Sequence, residues 1–156
     1  MRIRAAVGND ADGVARVINA AFVVERVAFD GDRTNLDGVR ALMNAGKFLL
    51  AEEDMLGLVA CVYVELRGER SYLGLLSVAP ELQGKGLGRQ LVAAAEEYSR
   101  NVGCRAMELR VISPRAETLL PFYERLGYAQ TGTAPFPVDV ATKVPCHYIF
   151  MAKPLA

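Results

Sequence analysis

Several things are scarce in this chain, and each scarcity closes off a class of function. It has a single histidine, His147, so a zinc site built on histidine ligands is hard to assemble. Its three cysteines, Cys61, Cys104 and Cys146, are odd in number, widely spaced and form no Cys-x-x-Cys pair. Each sits in an apolar stretch, which fits buried free thiols in a reducing compartment rather than disulfides or metal ligands. There is no charge surplus: 18 basic residues balance 18 acidic ones, whereas a nucleic-acid binder normally shows a basic excess. The longest apolar run, Leu56 to Val64, is too short to span a bilayer. The opening Met-Arg-Ile-Arg-Ala-Ala-Val has no long apolar core behind its charges, so no signal peptide is read. The expectation is a soluble, cytoplasmic protein with no metal, no nucleic-acid partner and no membrane contact.

What is present is ample apolar material. With 156 residues, 52% hydrophobic and 23% charged, the chain fits one domain, 1–156, with a sizeable core. No repeat or low-complexity segment interrupts it.

The most informative stretch runs from Ser71 to Val102. An apolar run closed by Pro80 reads as a buried strand. Leu87, Leu91, Ala95, Tyr98 and Val102 recur at helical spacing, with Gly103 as the cap. Between strand and helix lies Gln83-Gly84-Lys85-Gly86-Leu87-Gly88. Alternating glycines let a ligand approach the amides without a Cβ in the way. The unpaired N–H groups and the positive dipole end of the following helix add an anion site, reinforced by Lys85 and Arg89. The spacing fits neither the triphosphate-binding loop nor the dinucleotide fingerprint.

Around this stretch the pattern gives a mixed sheet. Strands are expected over 2–7, 48–53, 55–66, the Tyr72 run, 104–112, 128–132 and 146–151. Helices are expected over 11–24, 36–44, 87–102 and 114–126. The short connections from Phe48 to Val78 suggest an antiparallel meander. The strand–helix–strand unit across the glycine loop makes the Tyr72 and Cys104 strands parallel. The fold class is α/β: a mostly antiparallel mixed sheet with one parallel pair and helices on both faces. Thr133 to Pro145 is expected as a long loop. The Cys146–Met151 run is expected as a sheet edge through which a homodimer could form.

The Gln-Gly-Lys-Gly-Leu-Gly loop after Ser-Val-Ala-Pro resembles the acyl-CoA-binding motif of the GNAT acetyltransferase superfamily, with Gln83, Gly86 and Gly88 in the motif places. Leu120-Pro121-Phe122-Tyr123-Glu124-Arg125-Leu126-Gly127-Tyr128 resembles the family's second signature. The element order follows the family along nearly the whole chain, and the motifs are specific from Tyr72 to Gly132. One departure is Ala116, where many members carry Asn.

The resemblance implies an N-acetyltransferase moving an acetyl group from acetyl-CoA to a primary amine, small-molecule or peptide, in a ternary complex. The alternative is a non-catalytic acyl-CoA-binding or regulatory module. It implies that the amides of Gln83 to Arg89 hold the CoA pyrophosphate and that the backbone around Ser77 and Val78 lies along the pantetheine arm. It further implies that Val78 N–H faces the oxyanion and that Tyr123 protonates the leaving thiolate. The attacking amine must be neutral, so a base is needed. Glu25 and Glu108 are the candidates for it, the acceptor pocket is expected between the 25–35 segment and the 133–145 loop, and Phe136 and His147 are candidates on the acceptor side.

Overall fold

The computed structural model describes residues 1–155. Seven strands form one sheet in the order β1-β2-β3-β4-β5-β7-β6. They are β1 (Arg2–Ala5), β2 (Lys47–Glu53), β3 (Gly57–Arg67), β4 (Arg70–Val78), β5 (Ala106–Ile112), β6 (Ala129–Pro135) and β7 (His147–Pro154). All neighbours are antiparallel except β4 and β5. The meander and the parallel pair are thus as the spacing implies.

Four α-helices cover the two faces: α1 (Ala11–Ala21), α2 (Leu36–Ala45), α3 (Leu87–Asn101) and α4 (Ala116–Arg125). On one face Val14, Ile18 and Val39 pack on Phe48, Leu50, Cys61 and Tyr63. On the other, Leu87, Leu91, Val92 and Ala95 pack on Val62, Leu73, Met107 and Met151. Strand alternation sorts the residues between these layers, and β3, covered on both sides, is buried from Val59 to Val64.

Helix ends follow local chemistry. Asn35 caps α2 by accepting from Gly38 N–H at 2.8 Å. Gly103 and Gly127, at φ +93° and +99°, close α3 and α4 in the left-handed region. Beneath α3 a polar group is buried and fully paired: Glu96 accepts from Tyr128 Oη at 2.8 Å and from Lys153 Nζ at 2.9 Å. Cys61 and Cys104 are buried free thiols, and Cys146 is half-buried and free.

The structure corrects several expectations. β7 is not an edge: it inserts between β5 and β6, pairing with Ala106–Ile112 on one side and Ala129–Pro135 on the other. A chain that returns antiparallel to β5 satisfies both rows of β7 backbone groups, and β6 is left as the border. The run 146–151 therefore offers no free edge for a second copy. Helix α1 stops at Ala21 and passes into a 3-10 turn, Phe22–Val27. Met55 and Leu56 belong to the β2–β3 turn, with Met55 at φ +72° and fully exposed. Strand β6 extends to Pro135, so the connecting loop is 136–146.

Candidate functional site

The site arises from two irregularities in β4. The first is a bulge. Cys61 pairs with Ser77 and Tyr63 with Gly74, so Val62 alone faces both Leu75 and Leu76. Leu75 sits at φ +52°, a conformation that costs an L side chain about 1–2 kcal/mol. As a result Gly74 and Leu75 share the α1/α2 face, and Leu76 and Val78 fall on the α3/α4 face.

The second irregularity is a splay. The parallel pairing of β4 with β5 covers only Arg70↔Ala106, Ser71↔Met107 and Tyr72↔Glu108. Beyond Tyr72 the two strands diverge and open a cleft through the sheet. Ala79 N–H bonds Val59 O at 2.8 Å, so alternation turns the Val78 peptide groups away from β3 and into the cleft. The Val78 carbonyl accepts from Gln83 Nε2 at 3.1 Å, and its N–H is left facing the opening.

A cavity of about 1200 Å³ fills this cleft and reaches both faces of the sheet. On the α3/α4 side it is lined by Leu76, Val78, Gln83, Gly84, Gly86, Leu87, Gly88, Arg89, Phe122, Tyr123 and Arg125. The first helical bond of α3 is Gln90 N–H to Gly86 O. Among the described residues, the six amides from Gly84 to Arg89 find no acceptor in the protein. Gly84 and Gly86 lie at φ +81° and +85°, and a Cβ on Gly84 would meet nothing within 4 Å. This is a bare cradle of N–H donors at a helix N-terminus, suited to a pyrophosphate.

Tyr123 stands between the two sides of the cleft. Its ring is buried edge-on against Phe122 and Tyr128, with centroids 5.0 and 5.8 Å away. Its hydroxyl makes no hydrogen bond, yet it is not sealed from the cavity. Burial pushes the phenol well above its usual range, so it stays protonated at neutral pH.

On the α1/α2 side, Glu25 from the 3-10 turn lines the cavity, 9% exposed, with its Oε2 3.7 Å from Arg115 Nη1. Burial raises the Glu25 carboxyl above the usual carboxylate range, and Arg115 and Arg33 pull it partway back. Arg115 also acts on the Tyr123 phenol, so acid and base candidates share one cationic neighbour. The other lining carboxylates are paired as well: Glu65 with Arg67, Asp30 with Lys143, Asp32 with Arg26. Phe29, Phe136 and Tyr148 make an aromatic wall, Phe136 lying 5.6 Å from Phe29 and 4.6 Å from Tyr148. Lys143 straps the 136–146 loop to the 3-10 segment, its N–H donating to Ala28 O at 2.8 Å and its ammonium to Arg26 O at 3.1 Å.

Not every residue singled out in the sequence comes to this place. Glu108 lies where the β4–β5 pairing is still closed, outside the cavity and ion-paired with Arg70, which removes it as a base. His147 is exposed at the start of β7, outside the cavity, and its backbone N–H donates to Ser113 Oγ at 3.0 Å. Lys85 is exposed and is not among the residues that line the cavity. The Ser77 side chain is buried, its Oγ donating to Leu75 O at 2.8 Å, and Ser77 is not among the residues that line the cavity. The 25–35 segment lines the cavity with Phe29 and Arg33, and the 136–146 loop with Phe136 and Lys143, as expected, whereas Arg110, Arg115 and Tyr148 were not singled out in the sequence. The one available signal was alternation in β5: with Leu109 and Val111 in the core, Arg110 must face the other layer.

The acetyltransferase (GNAT) family model matches residues 18–128. A mycothiol acetyltransferase of Propionibacterium freudenreichii subsp. shermanii is 28% identical over 131 residues, covering 80% of this chain and 42% of that one. A glucosamine 6-phosphate N-acetyltransferase of Trypanosoma brucei brucei is 43% identical over 51 residues, covering 33% and 32%. The matches span less than half the length of either relative. Among solved structures, a Salmonella typhimurium protein of the acetyltransferase class, solved with its cofactor acetyl-CoA, superposes with a TM-score of 0.78. The identity is 22%, over 99% of this chain and 94% of that one. The ribosomal-protein-S18-alanine N-acetyltransferase of Escherichia coli gives 0.77 at 17% identity, over 99% and 94%. At these identities the structural likeness speaks for the fold.

Proposed function

The chain belongs to the acetyltransferase (GNAT) family, and on that premise we propose that it transfers an acetyl group from acetyl-CoA to a primary amine. The observation that carries the reading is the six-amide cradle at the mouth of a cleft that a bulge and a splay open between β4 and β5. The residues present fit the group: glycine amides and Arg89 suit the pyrophosphate, and the walls of Leu76, Val78 and Phe122 suit an extended pantetheine arm. Acetyl-CoA supplies the thioester. Among the described residues no cluster of His, Cys, Asp and Glu is arranged to hold a metal.

Each chain residue then has a task. Glu25, with its raised pKa, takes the proton from the incoming ammonium so that the nitrogen lone pair is free to attack. The Val78 N–H donates to the oxygen that gains charge as the C–N bond forms. Tyr123 gives its proton to the sulfur as the C–S bond breaks, and its phenolate takes back the second proton of the acylated nitrogen; burial keeps the phenol protonated until then. The products are an N-acetyl amine and free CoA.

Calorimetry with acetyl-CoA, followed by turnover against an amine panel, tests this. Binding together with CoA release that depends on an amine supports it. Binding without turnover would leave the non-catalytic acyl-CoA module, and no binding at all would remove the reading.

A further inference from the structure

We propose that the amine acceptor also carries an anionic group, a carboxylate or a phosphate, which Arg110 and Arg33 hold. This rests on the acyl-transfer reading and deepens it by naming the acceptor class.

The argument is one of charge left over. Each of the four carboxylates lining the cavity is already matched to a cation. Two guanidiniums on the acceptor side, Arg33 and Arg110, have no carboxylate within ion-pair distance among the described residues. The other lining arginines without a carboxylate, Arg89 and Arg125, belong to the α3/α4 side, where the CoA phosphates would lie. A chain of zero net charge therefore presents a cationic acceptor chamber.

Both free guanidiniums are exposed, and each rests on an aromatic ring. Arg110 lies over the Tyr148 ring at 4.2 Å, and Arg33 over the Phe22 ring at 5.6 Å. A guanidinium stacked on a ring face keeps its N–H edge open, and that fork matches the two oxygens of a carboxylate or phosphate. Arg110 projects from the part of β5 that has parted from β4, and Arg33 is near enough to Glu25 to lower its pKa. The anion sites and the base thus flank one chamber, with the Phe29–Phe136–Tyr148 wall beside them for an apolar body.

The same surplus decides against a plain cationic amine. An ammonium without its own counter-charge would enter against Arg33, Arg110 and Arg115. An acceptor that carries its own carboxylate or phosphate is neutral or net anionic, and once its anion is docked the nearby cations lower the pKa of its ammonium. Proton loss to Glu25 then becomes easier.

The test uses matched pairs: an apolar amino acid against its carboxamide, and an amino-sugar phosphate against the unphosphorylated amino sugar. Acetyl-CoA-dependent turnover gives kcat/KM, and calorimetry on the N-acetylated form of each compound reads binding without turnover. The anionic member of at least one pair should be preferred about tenfold to a hundredfold, the worth of one or two charge-assisted hydrogen bonds. The pair that shows the preference identifies the anion. Arg110→Gln should erase most of that preference with the KM for acetyl-CoA unchanged, and Arg110→Lys should keep part of it. Arg33→Gln is the second variant should Arg110→Gln fail to fold. Equal use of both members of each pair, or no binding of any anionic compound at millimolar concentration, overturns the proposal. So does a preference that survives both Gln substitutions. Failure of the wild type to bind acetyl-CoA in the same calorimeter would instead strike the acyl-transfer reading.

Discussion

Glu25 Oε2 lies 3.7 Å from Arg115 Nη1, a half-made ion pair between the 3-10 turn after α1 and the corner before α4. The contact is too long to neutralise the cost of burial, so the carboxyl titrates above its ordinary range. A general base acts only when deprotonated. The rate kcat/KM should therefore fall as pH drops through the folded-state pKa of Glu25, and the fall should begin at higher pH than for an exposed carboxylate. Glu25→Gln should remove that acidic limb and slow the chemical step ~10²–10⁴-fold. A Gln variant that keeps the limb would place the base elsewhere.

Tyr123→Phe keeps the ring between Phe122 and Tyr128 and removes only a hydroxyl that bonds nothing in the protein. Thermal stability and acetyl-CoA affinity should hold, while kcat falls ~10²–10⁴-fold where chemistry is rate-limiting. Tyr123→Ala should instead cost about 3–5 kcal/mol in stability through the cavity it leaves. Wild-type turnover in the Phe variant would make Tyr123 a packing residue.

Gly86→Asp places a carboxylate at the amide cradle. At φ +85° the new Cβ is strained, but its surroundings are open, with Arg89 Nη2 at 3.8 Å the sole neighbour within 4 Å. The variant should fold, losing about 1 kcal/mol, and should not bind acetyl-CoA. Circular dichroism and calorimetry read the two outcomes separately, and unchanged CoA affinity would remove the loop from the site.

Acid should weaken the fold through β1. Arg4 donates to both Asp10 oxygens at 2.8 Å and to Glu52 at 2.7 Å. The Arg4 hydrogen bond holds Asp10 down, from 3.8 to about 2. Its contribution is thus present above pH 3.8 and lost as pH falls through about 2. Solvent limits it to about 1 kcal/mol. Asp10→Asn should flatten the pH dependence of urea midpoints over that window, and an unchanged slope would show that the pair does not matter.

Legibility in the sequence followed periodicity. The meander, the parallel pair and the glycine loop were readable because alternation, a turn and a capped amphipathic helix each leave a local trace. The acceptor chamber was legible only in its loops, 25–35 and 133–145, while Arg110 and Arg115 join them only through the order in which strands lie. Placing β7 at an edge followed from its being the last strand read, whereas the sheet inserts it beside β5. Glu108 and Arg110 lie two apart on one strand, and the splay begins between them, which local pattern does not reveal. The bulge at Leu75 was hidden because a leucine run reads as an unbroken strand.

That bulge has a consequence best put in genetic terms. Gly74 and Leu75 share a face, so one residue is surplus to the alternation of β4. An in-frame loss of the single codon for Leu75 would leave Leu73, Leu76 and Val78 facing the layer they already face and would spare the rest of the core. The strand would straighten against β3, joining the Cys61–Ser77 and Tyr63–Gly74 pairings in one register. Most one-residue deletions in a central strand scramble a fold. This one is poised to keep the fold and to remove only the surplus residue in the cleft wall.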